Sequence, residues 1–502
     1  MAKPICLSIA GSDSGAGAGI QADIKTFFDL NCYATTVITA ITAQNTKEVI
    51  AIDAVSDDLF EKQLQSIEDD LLPRAIKTGM IATVKQVEII SNFLERYDDI
   101  FYICDPVMIA TSGAKLVGKA VIDAIITKLF PKADLITPNL DEAAYLLLLD
   151  KRDYNLNASL EESAIKLYQT YQLKAVLLKG GHSTTPEVDY FYSQNTHFYL
   201  SSKRCLWHQS IHGTGCTLAA SITALLALGY DLFNAVVIAK AYITEGIFNA
   251  QAVAKNKGNL PVAQCGFPIN KNYFPVVTQH QKLIKKNNIF KRLDQSIGFY
   301  PVVDTIKWLE YLAKKGIKTI QLRIKDKPLD WVEKAVIQAV DLQKKYHLQL
   351  FINDYWQKAI EYGAYGVHLG HEDLSILSYD EINQLVNSDV CLGLSTHDYF
   401  ELAYALSVRP SYVALGPIYP TTSKVMRFGP QGVEKLKKWQ SLTDIPLVAI
   451  GGITLDNIQD IIDANVEGIA AISMITNARD PNQVIDQLSR LFKRFNMGDV
   501  VV

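Results

Sequence analysis

Apolar runs rich in Val, Ile and Leu alternate with helical segments along the first half of this 502-residue chain. The runs are nearly continuous, and each ends in polar residues or glycine: ICLSIAGSD, ATTVITAITAQ, AIKTGM, IFYICDPV, DLITPN and AVLLKGG. Strands of this kind, separated by helices, predict a parallel sheet that is covered on both faces. VDYFYS and THFYLSS predict an antiparallel hairpin at one edge, and two long helices are expected at about 215–228 and 232–250. We therefore predict a doubly wound α/β domain over residues 1–265.

A stretch without a regular period follows this domain. Three prolines, Pro261, Pro268 and Pro275, interrupt a mostly polar sequence there. Because proline fixes φ and removes a hydrogen-bond donor, such a segment favours a connector over a helix or a central strand. We expect a linker at residues 266–295.

The remaining chain alternates more regularly between strands and helices. Eight strands are predicted, at 299–304, 319–325, 349–354, 366–370, 390–396, 412–418, 446–452 and 468–474. Eight βα units within about 200 residues are typical of a closed (β/α)8 barrel. The second domain is therefore expected to be a barrel over residues 296–502.

Charge and composition narrow the range of partners. The chain carries 49 basic and 53 acidic side chains, for a formal net charge of -4, which disfavours nucleic acid as a partner. Its longest apolar stretches fall far short of the ~20 residues that a membrane span needs. Seven scattered cysteines without a C-x-x-C pair favour reduced thiols over a disulfide framework. We expect a cytoplasmic protein that acts on small molecules.

Two glycine-rich segments of the first domain are candidates for phosphate binding. Gly15 and Gly17 follow the first strand and precede a helix, but Ile20 replaces the third glycine of the dinucleotide-binding pattern, so a Rossmann site is disfavoured. A tight turn without a ligand remains an alternative. Gly118 and Lys119 end a sequence that resembles a P-loop, but Ala120 stands where Ser or Thr is needed for magnesium, so we treat this match as coincidence.

A more informative segment is IHGTGCTLAA, residues 211–220, which opens a long apolar helix. Successive backbone N–H groups of Gly213, Thr214, Gly215 and Cys216 would point along the positive end of the helix dipole. Such a nest stabilises the charge of a phosphoryl group during transfer. A small-residue helix start with a buried cysteine is an equally compatible alternative from these residues alone.

Six segments together resemble a known family. In order, AGSDSGAGAGIQAD, TAITAQNT, CDPVM, TPNLDEA, LKGGH and HGTGCT are similar to the hydroxymethylpyrimidine/phosphomethylpyrimidine kinases of thiamin biosynthesis, which are ribokinase-like. The resemblance implies that Gln44 hydrogen-bonds an aminopyrimidine in a pocket lined by Gly11, Asp23, Met80 and Val107. It further implies that Asp105 and Glu142 hold or orient Mg2+ and that Lys179 lies near the phosphates of ATP, the co-substrate.

The same resemblance makes Cys216 a candidate base. Many ribokinase-like relatives carry aspartate at this position, and a thiol with a pKa near 8.5 is a poorer base unless the helix N-terminus lowers its pKa. Proton removal is needed to phosphorylate an alcohol but not to phosphorylate a monophosphate, which is already anionic. We therefore expect Cys216→Ala to impair the first phosphorylation more than the second.

The barrel sequence places polar residues where its strands end, which is the usual location of barrel active sites. Strand alternation puts Gln321, Arg323 and Lys325 on one side, which predicts an anionic ligand. Asp354 and Asp373 follow neighbouring strands and could hold Mg2+, although a helix N-cap is an alternative for each acid. Glycine and serine after the last two strands are typical of a barrel phosphate site.

This set resembles thiamin-phosphate synthase, through YPVVD, QLRIK, IND, GVHLGHEDL, GLSTH, GPIYPTTSK, AIGGI and AISM. The resemblance implies that Asp354 and Asp373 bind Mg2+. It implies that the pyrimidine diphosphate is bound by Gln321, Arg323, Lys325, Asn353, Ser395 and Lys424. The thiazole phosphate would be bound by Thr421, Thr422, Ser423, Gly452, Ile472 and Ser473.

The two resemblances fit one pathway, because the product of the kinase is the substrate of the synthase. The chain is therefore expected to be a bifunctional enzyme that uses hydroxymethylpyrimidine, ATP and thiazole phosphate, and a homo-oligomer is an open alternative to a monomer. Two alternatives remain at this point: a pyridoxal or other vitamin kinase fused to an unrelated phosphate-binding barrel, and a catalytically silent regulator that binds metabolites.

Overall fold

The computed structural model describes residues 2–108, 117–149, 159–181, 187–205, 211–251, 258–285, 290–421 and 429–495. The chain divides into two compact units, Met1–Gln279 and His280–Val502. Among the described residues, no helix combines the length and apolar character that crossing a membrane would require.

The first unit is built on a ten-stranded sheet, with the strand order β12-β9-β8-β7-β6-β5-β4-β1-β2-β3. Its strands are β1 (Ile5–Asp13), β2 (Tyr33–Gln44), β3 (Val49–Ala54), β4 (Ala75–Thr78), β5 (Phe101–Cys104), β6 (Leu135–Ile136), β7 (Ala175–Leu178), β8 (Glu187–Ser193), β9 (His197–Ser202) and β12 (Val276–Thr278). Two further short strands, β10 (Ile211–His212) and β11 (Leu260–Pro261), pair with each other in parallel.

The centre of the sheet is parallel and its edges are antiparallel. β2, β1, β4, β5, β6 and β7 run parallel to their neighbours, whereas β3, β8, β9 and β12 are added antiparallel. Every residue of β4 and β7 is buried, so both faces of the sheet centre are covered. The predicted doubly wound domain and its antiparallel hairpin are confirmed.

Eight α-helices of this unit lie in the described residues, with a short π-helix (Ile125–Leu129) and a 3-10 turn (Phe130–Lys132) after the fourth. They are α1 (Gly19–Asp29), α2 (Asp57–Asp70), α3 (Val84–Leu94), α4 (Lys119–Ala124), α5 (Leu140–Leu149), α6 (Leu160–Tyr171), α7 (Thr214–Ala227) and α8 (Leu232–Phe248). α7 is buried at every position of 217–227, because it packs between α1, α8 and strands of the sheet. The two long helices expected near the end of this domain are therefore present.

The expected linker differs from the structure. Val276, Val277 and Thr278 form β12, which pairs antiparallel with β9 and extends the sheet. The first unit extends through Gln279, and the segment from His280 onward belongs to the second unit, where the buried Phe290 donates its backbone N–H to the Arg409 carbonyl at 3.3 Å. Proline is unfavourable inside a helix or a central strand but is compatible with an edge strand. The lack of a regular hydrophobic period in this segment therefore did not indicate a linker outside the two units.

The second unit is a closed barrel of eight parallel strands, as predicted. The strands are β13 (Gly298–Val303), β14 (Thr319–Leu322), β15 (Gln349–Asn353), β16 (Gly366–Leu369), β17 (Cys391–Thr396), β18 (Tyr412–Leu415), β19 (Leu447–Ile450) and β20 (Gly468–Ala471). The surrounding helices are α9 (Gln281–Lys285), α10 (Ile306–Lys314), α11 (Leu329–Tyr346), α12 (Trp356–Tyr362), α13 (His371–Ser375), α14 (Tyr379–Asn387), α15 (Tyr399–Val408), α16 (Gly432–Leu442), α17 (Ile458–Asp463), α18 (Ser473–Thr476) and α19 (Pro481–Phe495).

Aromatic rings fill the interior of this barrel. Tyr300, Phe351 and Tyr412 meet edge to face, and the hydroxyls of Tyr300 and Tyr412 lie 2.8 Å apart. Gly393 makes room for them, since a Cβ at this position would overlap the Tyr412 ring. The interior is therefore a packed core, and substrates can be accommodated only at the strand ends.

Candidate active sites

The charged residues of the first unit converge where three parallel strands end. Asp105 follows β5 and accepts hydrogen bonds from Thr137 Oγ1 at 2.9 Å and from Lys179 Nζ at 3.1 Å. Lys179 follows β7, where an isolated parallel bridge pairs it with Asn139. Residues separated by up to 74 positions thus form one cluster at the carboxyl edge of the sheet, the usual ligand-binding edge of such folds.

Glu142 belongs to the same cluster. It lies in the first turn of α5, where its carboxylate accepts the backbone N–H of Asn139 at 2.8 Å. Burial raises the pKa of Glu142 to about 7, and the charge of Asp105 acts in the same direction while Lys179 opposes it. A buried carboxylate whose pKa is raised in this way is well placed to accept a bound cation.

The start of α7 faces this cluster. A Cβ placed on Gly215 would lie 3.2 Å from Lys179 Nζ and 3.8 Å from Asp105 Oδ2. Gly213 has a φ of 82°, and a Cβ there would overlap the Gly17 carbonyl oxygen, so only glycine fits. The predicted nest therefore opens directly onto a lysine and a carboxylate, an arrangement suited to a phosphoryl group and its metal.

Cys216 does not have the properties expected of a base. Burial raises the pKa of its thiol to about 11; Lys77 and the Gly19 backbone oppose this shift, and Asp23 and Asp105 reinforce it. The thiol is therefore protonated at neutral pH. The helix N-terminus can be recognised in the sequence. The desolvation of the Cys216 thiol and the two neighbouring carboxylates, which raise its pKa, are visible only in the folded protein.

Asp23 is also placed differently from the expectation. The structure buries it completely, and its carboxylate accepts from Lys77 Nζ at 2.8 and 2.9 Å and from Ser8 Oγ at 2.6 Å. Burial would lower the pKa of Lys77, but the Asp23 charge raises it above its ordinary value. Asp23 therefore forms an internal ion pair beneath the site rather than an open wall of a substrate pocket.

The other residues expected around the pyrimidine lie in β1 and β2 and just beyond the ends of β4 and β5. A Cβ on Gly11 would lie 3.4 Å from Met80 Sδ, so these two residues are in contact. Gln44 ends β2 and is half-buried, and Val107 lies two residues beyond Asp105.

Sequence reasoning missed two residues here, Asp13 and His212. The Asp13 carboxylate accepts the backbone N–H groups of Gly15, Gly17 and Ala18 at 2.8, 3.0 and 2.8 Å. The donors of the first glycine loop are thus used within the protein. Burial would raise the pKa of Asp13, but hydrogen bonds from His212 and this loop hold it below its ordinary value. Because His212 is 199 residues away, no local signal could have paired it with Asp13.

In the barrel, the ends of β14 and β15 bring opposite charges together. Gln321 is buried and donates to the Tyr300 hydroxyl at 3.0 Å. Strand β14 ends at Leu322, so Arg323 and Lys325 lie beyond it, and Lys325 forms an ion pair with Asp354. The expected register is therefore correct for Gln321, whereas the two basic residues belong to the loop.

A chain of hydrogen bonds links Ser395 to Gln321 through the barrel core. His368 Nε2 lies 2.8 Å from Ser395 Oγ and its Nδ1 lies 2.7 Å from the Tyr412 hydroxyl. Tyr412 in turn contacts Tyr300, which accepts from Gln321. Sequence reasoning missed His368, Tyr300 and Tyr412, although strand alternation in GVHLG could have directed His368 inward.

Asp354 and Asp373 follow the neighbouring strands β15 and β16. Asp373 Oδ2 accepts the Gly370 backbone N–H at 3.0 Å, so the helix-cap alternative is realised for this residue. Among the described residues no group of three or more acidic, His or Cys side chains could hold a metal. Mg2+ generally takes one or two carboxylates together with substrate phosphates and water, and two aspartates fit that donor set.

The residues expected around the second phosphate are partly described. Gly451 and Gly452 have φ values of 94° and 68°, and a Cβ on Gly452 would lie 2.5 Å from the Pro420 carbonyl oxygen. The loop that leads to Thr421 therefore packs on Gly452. Ile472 and Ser473 start the short helix α18. Thr422, Ser423 and Lys424 belong to the segment 422–428, which lies outside the described residues.

Comparison with known families gives one match in each unit. Residues 13–263 match the family model of phosphomethylpyrimidine kinase, and residues 299–475 match that of thiamine monophosphate synthase.

Two sequence relatives agree with this division. The chloroplastic thiamine biosynthetic bifunctional enzyme of Arabidopsis thaliana is 29% identical over 503 residues, which cover 98% of this chain and 92% of that protein. The thiamine-phosphate synthase of Proteus mirabilis is 50% identical over 206 residues, 41% of this chain and 94% of its own length. A solved structure of the pyridoxal kinase from Staphylococcus aureus in complex with pyridoxal is 32% identical, covers 55% of this chain and 98% of its own, and has a TM-score of 0.48.

Removal of Lys77 tests the internal ion pair. We expect Lys77→Met to destabilise the first unit by about 3–5 kcal/mol, because Asp23 would remain buried without a partner. Hydrogen exchange of α1 and β4 peptides measures this loss. The exposed pair of Lys62 and Asp58 supplies a matched control, Lys62→Met, for which we expect about 0–1 kcal/mol. Full stability of Lys77→Met, or no recovery in Lys77→Met/Asp23→Leu, would contradict the assignment.

Proposed function

Because the chain belongs to the phosphomethylpyrimidine kinase family in its first unit and to the thiamine-phosphate synthase family in its second, we propose that the two sites described above catalyse its successive reactions. The protein is a bifunctional thiamine biosynthetic enzyme. The kinase supplies the diphosphate that the synthase joins to a thiazole phosphate. The observation that carries the assignment of the sites is that both units gather cations and carboxylates at the carboxyl ends of their parallel strands.

In the kinase site, Gln44 would hydrogen-bond the aminopyrimidine, with Gly11, Met80 and Val107 around the ring. Lys179 and the Gly213–Cys216 loop would offset the charge of the transferred phosphoryl group. Asp105 and Glu142 would hold Mg2+, which, when bound, neutralises phosphate charge of ATP. Phosphoryl transfer passes through a loose transition state, so positioning and charge stabilisation matter more than a strong base. This agrees with a protonated Cys216.

In the synthase site, Gln321, Arg323 and Lys325 would bind the pyrimidine diphosphate together with Asn353, Ser395 and Lys424. Asp354 and Asp373 would hold Mg2+, which, when bound, offsets the charge of the leaving pyrophosphate. The Lys325–Asp354 pair would exchange partners on binding, with Lys325 turning to the diphosphate. The thiazole phosphate would be held by Thr421, Thr422, Ser423, Gly452, Ile472 and Ser473.

The cellular location, the domain limits and self-association of the protein are also proposals. The scattered positions of the seven cysteines, without a C-x-x-C pair, support a reducing, cytoplasmic location. The domain limits at 1–265 and 296–502 and self-association stay predictions.

A single incubation tests the overall reaction. Purified protein with hydroxymethylpyrimidine, ATP, thiazole phosphate and Mg2+ should form thiamin phosphate, detected by mass spectrometry, and omission of any one component should abolish it. A parallel incubation with pyridoxal and ATP measures the competing vitamin-kinase activity. Phosphorylation of pyridoxal alone, or binding of the substrates without turnover, would contradict the proposal.

Cys216 variants separate a base from a structural residue. We expect Cys216→Ala to lower kcat by less than about tenfold in both phosphorylations, whereas loss of a base would cost about 10²–10⁴-fold in the alcohol step alone. The two rates are measured separately with hydroxymethylpyrimidine and its monophosphate as substrates. Cys265→Ala, at an exposed thiol, is the control. A large loss confined to the alcohol would restore the base role.

Carboxamide variants test the synthase metal site. We expect Asp354→Asn and Asp373→Asn each to raise the Mg2+ concentration for half-maximal synthase rate by about tenfold or more, because each removes an anionic oxygen ligand. Asp380→Asn changes a similar first-turn acid in α14 and should leave the Mg2+ dependence unaltered. If Asp373 only caps its helix, its variant will lose stability while keeping the wild-type Mg2+ dependence.

A further inference from the structure

His212 lies between two polar partners at the edge of the kinase site. Its Nε2 atom is 3.1 Å from Gln44 Nε2 and 3.3 Å from Asp13 Oδ2. The residue is only 7% exposed. One ring nitrogen of a nearly buried histidine therefore faces both the residue assigned to the pyrimidine and a carboxylate.

The position of this histidine is determined by the backbone around it. His212 belongs to β10, where it pairs with Pro261, and it directly precedes Gly213 of the phosphate-binding loop. A Cβ on Gly17 would lie 2.5 Å from His212 Cδ2, so the ring packs directly on the glycine loop. The imidazole cannot shift without moving either that loop or the start of α7.

Asp13 is held even more firmly. Its carboxylate accepts three loop amides, and its own backbone N–H donates to Gln21 Oε1 at 2.8 Å. A fixed carboxylate beside an imidazole determines how the ring is oriented and which nitrogen carries a proton. Asp13 is thus placed to fix the ring orientation and the tautomer of His212. His212 in turn is placed to fix the orientation of the Gln44 amide.

The orientation of the Gln44 amide matters for recognition. The two ends of a glutamine amide have the same shape, but one donates hydrogen bonds and the other accepts them. With a proton on Nε2, His212 donates to the amide oxygen; without one, it accepts from the amide nitrogen. In either state only one end of Gln44 can face His212. The opposite end, whose oxygen in the structure lies 3.4 Å from Thr42 Oγ1, is then determined as the end left for the substrate.

We propose that His212, oriented by Asp13, is a positioning residue that fixes the Gln44 amide and thereby sets the preference for an aminopyrimidine ring over a ring that carries a hydroxyl group. The inference rests on the proposed role of Gln44 in binding the pyrimidine. The contact between His212 and Gln44 also has a second consequence. Because His212 is joined to Gly213, the residue that orients Gln44 is covalently linked to the loop that meets the phosphoryl group.

The first test is a pair of substitutions at His212. We expect His212→Leu to raise KM for hydroxymethylpyrimidine by about tenfold or more, because it leaves a polar amide end without its partner. KM for ATP should stay at the wild-type value, and the ratio of pyridoxal to hydroxymethylpyrimidine turnover should rise. His212→Gln keeps a polar atom near the position of Nε2 and should recover part of the loss. A merely structural histidine would lower kcat and stability without moving this ratio.

The second test asks whether His212 acts through Gln44. In a Gln44→Ala background, His212→Leu should cause no further rise in KM, since the amide that it orients is gone. Independent, multiplying effects in the double variant would overturn the inference while leaving the role of Gln44 intact. An unchanged KM in Gln44→Ala itself would overturn the role of Gln44 and the inference with it.

The bifunctional chain supplies its own controls. The synthase rate with added pyrimidine diphosphate measures the amount of chain with a folded second unit, so kinase rates can be compared at equal amounts of protein. His197→Leu changes another histidine of the same unit, in β9, where the ring contacts Tyr190 and Tyr192, and should leave the KM values unaltered. If His212→Leu is insoluble, the same KM values and the same ratio of pyridoxal to hydroxymethylpyrimidine turnover are measured in His212→Gln and Asp13→Asn.

Discussion

Parallel strands present their carboxyl ends along a single edge, and this constraint assembles both proposed active sites of the protein. In the first unit it brings Asp105 and Lys179 within 3.1 Å of each other from strands that are 74 residues apart. In the second unit it joins Lys325 to Asp354 across two adjacent barrel strands. The helices that follow these strands start at the same edge, so their backbone N–H groups add to the positive side of each site.

Exposure distinguishes ion pairs that are available to a ligand from those that only maintain the fold. The Lys77–Asp23 pair is fully buried, and no phosphate could reach it without unfolding the sheet centre. The Lys325–Asp354 pair is partly open, at 45% and 26%, so water already competes with its partners. A charged substrate can therefore replace one member of the open pair at low cost, since neither ion has to be moved from an apolar interior.

Most of the fold could be predicted from the sequence because strand and helix periods are local signals. All eight barrel strands and the parallel centre of the first sheet belong to this class. The site was harder to predict. Asp23 lies in a recognisable motif, yet its burial depends on Lys77, and the pKa of Cys216 depends on carboxylates far away along the chain. The pairing of Asp13 with His212 depends on the ends of two strands, β1 and β10, that meet only in the folded protein.

The edge strand β12 has a consequence for any effort to express the two halves of the enzyme separately. A gene cut at codon 265 would remove Val276, Val277 and Thr278 from the kinase half and leave the backbone of β9 unpaired on one side. An open strand of this kind invites intermolecular pairing and precipitation. A kinase fragment that ends after Thr278 keeps its sheet complete, and a synthase fragment that begins at His280 keeps Phe290, whose backbone N–H donates to the Arg409 carbonyl of the barrel unit.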